Sequence, residues 1–225
     1  MARIVLLRHA HSVANEKNIL AGRSPGISLS KKGSKQAEAL VDRLGGALFD
    51  EVFISPMERC HQTIAPWIAK SHRPHALTVD HDISEVDYGT WTGKSLASLR
   101  RKALWKTVAE QPSQMVFPEG ESLLQMQNRA LSSFYRLNAI KGKKPRLLVS
   151  HGDVIKSIVA HCLGMHLDQF QKLVIEPASM TIIETDNGVS RLISFNDTSG
   201  RLSQDSASSS VAAATAIGGS TGNQK

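Results

Sequence analysis

An arginine and a histidine stand side by side at Arg8-His9, directly after the apolar run Ile4-Val5-Leu6-Leu7. A guanidinium binds a tetrahedral oxyanion through paired N–H donors. The imidazole beside it can hold the same anion, or attack its phosphorus through a bare ring nitrogen. A second junction of this kind occurs at Leu147-Leu148-Val149-Ser150-His151-Gly152, and Arg59 follows the short run Val52-Phe53-Ile54. Two arginines and two histidines placed just past β-rich runs read as one phosphate-binding pocket. An alcohol leaving such a pocket needs a proton, so a carboxyl group is expected near it.

These side chains converge only if the runs that precede them lie in one sheet. Short continuous apolar runs read as buried, largely parallel strands, and ligands bind beyond the carboxyl ends of such strands. Between the runs, Ala37, Leu40, Val41 and Leu44 recur at helical spacing, with Ser30 to cap and Gly45-Gly46 to stop the helix. Ser55, Pro56 and Glu58 predict a capped helix start that carries Arg59 in its first turn. That turn offers unsatisfied N–H groups and the positive end of the helix dipole. Leu77-Thr78-Val79 reads as a further strand, and helical patterns cover about 94–110, 120–140 and 153–164. Leu123, Met126, Ala130, Phe134 and Leu137 form a core stripe, and 181–183 and 192–195 read as closing strands. The alternation predicts an α/β fold, a three-layer α/β/α sandwich with a mostly parallel central sheet. The long stretch 84–140, poor in strand signals, predicts a helical lid over the crevice.

Composition narrows the classes. The chain has 225 residues, 41% hydrophobic and 21% charged, enough for one large domain. Two cysteines, Cys60 and Cys162, without CxxC spacing speak against a disulfide framework or a cysteine-rich zinc site. No apolar run is long enough to span a bilayer, and Arg8 interrupts the N-terminal one, so a cytoplasmic protein without membrane contact is expected. The net charge of +7 gathers at Lys94, Arg100, Arg101, Lys102 and Lys106 and again around Lys141–Arg146. No nucleic-acid motif accompanies it, and solvated faces account for it without a nucleic-acid partner. Residues 200–225 are dominated by Ser, Ala, Gly, Thr and Gln and predict a disordered tail behind a domain spanning 1–199.

The motifs, in their order along the chain, resemble those of the histidine phosphatase superfamily, which includes the phosphoglycerate mutases. They are Leu7-Arg8-His9-Ala10-His11-Ser12-Val13-Ala14-Asn15, Gly33 with Gln36-Ala37, Ser55-Pro56-Met57-Glu58-Arg59-Cys60-His61-Gln62-Thr63, Glu85-Val86-Asp87-Tyr88-Gly89-Thr90-Trp91-Thr92-Gly93, Gly120-Glu121-Ser122 and Ser150-His151-Gly152. The resemblance implies a phosphoglycerate mutase-like fold and His9 as a nucleophile that becomes phosphorylated. It implies Arg8, Arg59 and His151 as the phosphate cradle, with Ser12 and Asn15 as further phosphate-binding residues. Glu85 is the implied proton donor and acceptor, with Asp87 and Asp153 as its rivals. No metal and no cofactor is implied, and the partner is a small phosphorylated substrate. Arg23 and Tyr88 are candidate rim residues.

Three positions depart from the family pattern. Ala10 stands where the family has glycine, which constrains the backbone after the nucleophile. Val86 and Leu96 occupy positions where a dedicated mutase carries basic residues. These two favour a phosphatase over a phosphomutase, while Arg100-Arg101-Lys102 supplies cations that a second phosphate would need. A non-catalytic phospho-ligand-binding regulator is the reading from another class. The remaining histidines, from His61 to His166, and both cysteines read as structural.

Overall fold

The computed structural model describes residues 2–71 and 75–202. His72 and the predicted tail from residue 203 onward lie outside the described residues. In chain order the elements are β1 (Ala2–Arg8), α1 (Val13–Glu16), α2 (Lys31–Leu44), β2 (Val52–Ile54), α3 (Glu58–Lys70), β3 (Leu77–Val79), α4 (Leu96–Leu99), α5 (Leu104–Glu110), α6 (Leu123–Ala139), β4 (Arg146–Ser150), α7 (Gly152–Cys162), β5 (Met180–Asp186) and β6 (Val189–Asp197). One sheet carries the strands in the order β3-β2-β4-β1-β5-β6. The first four pair in parallel, β5 runs against β1, and β6 runs against β5.

The apolar run of β1 is buried on both faces because helices cover both. Ile4, Leu6, Leu148 and Ile183 pack against α6 and α7, while Val5, Leu7, Leu147 and Val149 pack against α2 and α3. Alternating side chains thus feed two core layers from one strand. The expected three-layer sandwich and mostly parallel sheet are observed.

Local expectations fare unevenly. Ser30 caps α2 by accepting from the Gly33 amide at 3.2 Å, as its sequence implies. Ser55 does not cap α3. That helix starts at Glu58, Met57 precedes it without a side-chain cap, and the Ser55 hydroxyl lies 2.7 Å from His151 Nε2. A buried imidazole N–H demands an acceptor, and that demand outweighs a helix cap with solvent as the alternative. The helix expected over 94–110 is two short ones. The charged run at 100–102 offers nothing to the core, and Leu104 beyond it is 42% exposed.

Gly33 has a role that spacing does not disclose. A Cβ there would lie 1.9 Å from the His11 carbonyl oxygen, so α2 can press against the segment after His9 only with glycine at this point. Ala10 needs no such freedom: it is buried and does not adopt positive φ. The alanine in place of the family's glycine therefore costs no backbone strain.

Candidate active site

β1 delivers Arg8 and His9 to the carboxyl edge of the sheet, and main-chain bonds fix them there. The His9 amide donates to Ser150 O at 2.9 Å, and its carbonyl accepts from Ala178 N at 3.2 Å. The Ala10 amide donates to Thr63 Oγ1, and the His11 amide to Gln36 Oε1. The His9 ring is 2% exposed, with Nδ1 2.7 Å from Ala10 O. A carbonyl only accepts, so Nδ1 carries the proton and Nε2 keeps a bare lone pair. Burial, then Arg59 and Arg8, push the His9 pKa well below the usual imidazole range. That shift favours the neutral ring, whose free nitrogen has the lone pair that a nucleophile needs.

β4 ends one strand away and places His151 against the same arginine. Arg59 Nη2 donates to His151 Nδ1 at 3.1 Å and to Gly22 O at 3.0 Å. His151 Nε2 then donates to Ser55 Oγ. Both nitrogens are occupied, and burial followed by Arg59 holds this ring neutral as well. The two imidazoles lie 5.2 Å apart. Only His9 has the lone pair that attack requires.

Glu85 reaches the group from the segment after β3. Its Oε2 is 3.6 Å from His151 Nδ1 and 3.9 Å from Arg59 Nη2, and its Oε1 accepts from the Val86 amide at 3.0 Å. Burial raises its pKa above the usual carboxylate value, with Arg59 opposing. A neutral imidazole beside a carboxyl group disposed to keep its proton is the pairing that nucleophilic attack with proton donation needs.

A cavity of about 420 Å³ opens over these groups, and Arg8, His9, Ser12, Asn15, Arg59 and Glu85 line its inner end. Asn15 Oδ1 accepts from the Ser12 amide and hydroxyl at 2.9 Å each, so Asn15 offers the cavity donors only. Tyr88 lines the wall and donates to Asp153 Oδ2 at 3.1 Å, which ties up one rival of Glu85. His151 is fully buried behind Arg59 and is not itself on the cavity wall. Arg23 lies outside the cavity, with its side chain 39% exposed.

Arg23 instead takes part in a clamp that residue types alone do not disclose. Its Nε donates to the Glu85 carbonyl at 2.9 Å and its Nη2 to Glu121 Oε1 at 3.0 Å. Arg129, from α6, donates to the carbonyls of Asp82, Ser84 and Glu85 and to both Glu121 oxygens. Glu121 also accepts from the Asp87 amide at 2.9 Å. The signal that could have exposed this clamp is Glu121 in the Gly120-Glu121-Ser122 motif, a charged residue with no other evident task. Lys156 is a second omission: it lines the cavity, held between Asp153 at 3.3 Å and Gln171 at 3.2 Å.

His9, Glu85 and His151 also form a group whose ligand atoms lie within 4.8 Å of one another. The donor set does not fit a metal ion. Both His151 nitrogens are already bonded, and the Arg59 guanidinium, 3.9 Å from Glu85 Oε2, would face the cation. The surroundings favour an anion.

Residues 4–198 match the histidine phosphatase superfamily, branch 1. The chain belongs to this family. It is 27% identical over 203 residues to phosphoserine phosphatase 1 of Hydrogenobacter thermophilus, covering 88% of this chain and 93% of that protein. A protein of Schizosaccharomyces pombe named as a probable phosphatase is 30% identical over 207 residues, covering 88% and 94%. The solved structure of Bacillus stearothermophilus YhfR superposes with a TM-score of 0.81 at 24% identity, covering 88% of this chain and 98% of that one. Relatives are named both as phosphatases and as phosphoglycerate mutases, so the chain is an enzyme of phosphoryl transfer. Among the described residues no helix is long and apolar enough to cross a membrane.

Proposed function

We propose that the chain is a metal-independent phosphomonoester phosphatase that works through phospho-His9 on a small phosphorylated metabolite. The observation that carries this is the His9 Nδ1 bond to Ala10 O, which leaves Nε2 bare in a cavity that Arg8 and Arg59 also line. Nε2 attacks phosphorus as the ester P–O bond breaks, and Glu85 gives its proton to the departing oxygen. The Glu85 carboxylate then takes a proton from water, whose oxygen attacks the phosphohistidine. The P–N bond breaks, and inorganic phosphate leaves with His9 neutral again. Arg8, Arg59 and the Asn15 amide hold the phosphoryl oxygens, while His151 supports Arg59 from behind. Two steps with modest barriers replace one hard displacement.

The lid reading of 84–140 rests on Glu85, Tyr88 and Leu96, which line the cavity from that stretch. Its largest helix, α6, contributes to the core layer instead. The phosphomutase alternative gains from Lys156, a second cation on the wall, although Asp153 and Gln171 already engage it. It loses at Val86, which is buried in the core, and at Leu96, which puts an apolar side chain on the wall. Arg100, Arg101 and Lys102 do not line the cavity.

The test is p-nitrophenyl phosphate turnover in excess EDTA. Wild type should turn over and form an acid-labile phosphoenzyme, and His9→Ala should do neither. Equal rates in the two proteins overturn the proposal. Interconversion of 2- and 3-phosphoglycerate faster than phosphate release would make the enzyme a mutase. Binding of phosphate esters without any phosphoenzyme would make it a regulator.

A further inference from the structure

A buried polar atom without a partner is costly, because nothing offsets its lost hydration. Among the described residues one such atom is Arg8 Nε, in the cavity built to receive an anion. The same sign recurs at the opposite end of the sheet. Arg146, at the start of β4, is 2% exposed, and its Nε has no partner. Asn138, on α6, leaves both Nδ2 and Oδ1 buried and unpartnered. Both residues line a second, larger cavity of about 710 Å³.

Strand register explains why the space is there. Ala2, Arg146 and Thr185 lie on the same sheet face as Ile4, Leu148 and Ile183, but one pleat nearer the amino ends of β1 and β4. The apolar layer under α6 and α7 stops at that level. Tyr135 and Cys162 from the last turns of those helices and Asn187 from the β5–β6 turn complete the walls. Arg146 and His151 stand at opposite ends of β4, roughly 17 Å apart along the strand.

The charge of this groove has one sign. Lys141 and Arg146 line it, and no aspartate or glutamate does among the described residues. Glu51 stands beside Arg146 in the β2–β4 register, yet no ion pair joins them and Glu51 Oε2 is itself unpartnered. Arg146 Nη2 donates to Ile140 O at the end of α6, which fixes the guanidinium in place. An anchored guanidinium and an unpartnered primary amide lining one cavity suit a carboxylate or phosphate group. The cavity volume suits a metabolite-sized body.

We propose that this groove is a binding site for a small organic anion, held through its carboxylate or phosphate group by Arg146 and Asn138, with Lys141 at the rim. The proposal does not depend on the chemistry assigned to His9. The experiment is an amide NMR titration of the full chain with citrate and, separately, with inorganic phosphate. This readout resolves the two ends of the molecule. At least one of the two probes should shift Asn138, Lys141, Gly142 and Cys162 in a saturable way. Response to citrate alone would identify a carboxylate ligand, and response to phosphate a phosphorylated one. Asn138→Leu should weaken this binding by about tenfold or more while leaving p-nitrophenyl phosphate turnover unchanged. It should also melt at the same or a higher temperature, since it removes an unpartnered amide. Arg146→Lys should weaken binding similarly. The proposal fails if neither probe moves these amides at concentrations up to about 10 mM. It fails equally if Asn138→Leu binds as the wild type does.

Discussion

His9 and Glu85 face one cavity, yet they are held there by different means. The main chain of His9 is bonded on both sides to neighbouring sheet-edge residues, Ser150 and Ala178. Glu85 lies in a segment without a strand or an α-helix, and two arginine side chains grip its carbonyl. A main-chain ladder tolerates most side-chain changes, whereas a side-chain clamp fails when one member is lost. The placement of His9 is thus set by the sheet, and that of Glu85 by Arg23, Glu121 and Arg129.

The largest effect expected on this comparison comes from His9→Ala. Turnover should fall by about 10⁴-fold or more with the melting temperature little changed, read by phosphate release and calorimetry. Residual activity above a tenth of wild type would mean that the strand end does not carry the chemistry.

Glu85→Gln should lower turnover of alkyl phosphates by roughly 10²–10⁴-fold. It should lower p-nitrophenyl phosphate cleavage far less, because that leaving group needs no proton. Stability should move the other way. The folded pKa of Glu85 lies above its unfolded value, so wild-type stability declines as pH rises through the unfolded value towards the folded one. At neutral pH the glutamine variant should unfold at higher denaturant than wild type, and the difference should vanish below the unfolded carboxyl pKa. An equal or opposite difference at neutral pH would show that the folded carboxylate is not destabilised.

Arg129→Met tests the clamp. We expect a loss of about tenfold to 10²-fold in kcat/KM from misplacement of Glu85 alone. A loosened Glu85 gains water, so its pKa should drop and the alkaline limb of the rate profile should move to lower pH. A fall in rate with an unmoved limb would assign Arg129 to folding only. In the proposed mechanism the wild type needs His9 neutral and Glu85 protonated. Burial moves the first pKa down and the second up, so the acid limb should lie below the ordinary imidazole value and the alkaline limb above the ordinary carboxyl value. The limbs report the coupled group rather than single residues.

The smallest expected effect is on the His9 side. Gly33→Ala should destabilise by about 1–3 kcal/mol, because a methyl group would meet the His11 carbonyl, while kcat of the folded fraction stays within a few-fold of wild type. A large kcat loss without loss of stability would mean that the segment after His9 is less firmly held than its bonds imply.

This contrast also decides what the amino-acid sequence discloses. Arg8, His9 and Arg59 stand beside apolar runs whose burial forces them to the sheet edge, so short-range pattern suffices. Ser55 misleads because its hydroxyl has two competing uses, and only the fold shows that His151 is near enough to claim it. Arg129 sits on the polar side of a helix whose apolar stripe is plain, and nothing local separates it from a solvated arginine. The break between α4 and α5 is similarly hidden, since the charged run 100–102 is compatible with an exposed helix until the core beneath it is known. What pattern misses here are polar contacts between residues far apart in the chain, such as Ser55 with His151 and Arg129 with Glu85.

The order of the sheet sets a schedule for the chain as it is made. β1 leads to His9, but its two neighbours in the sheet are residues 146–150 and 180–186, far later in the chain. Until residues 146–150 have been made neither edge of β1 is covered, and until residues 180–186 follow one edge stays open. Such long sequence separation slows folding and leaves nascent chains open to aggregation. A truncated product ending before residue 180 would lack β5 altogether, and β1 would keep one sticky edge.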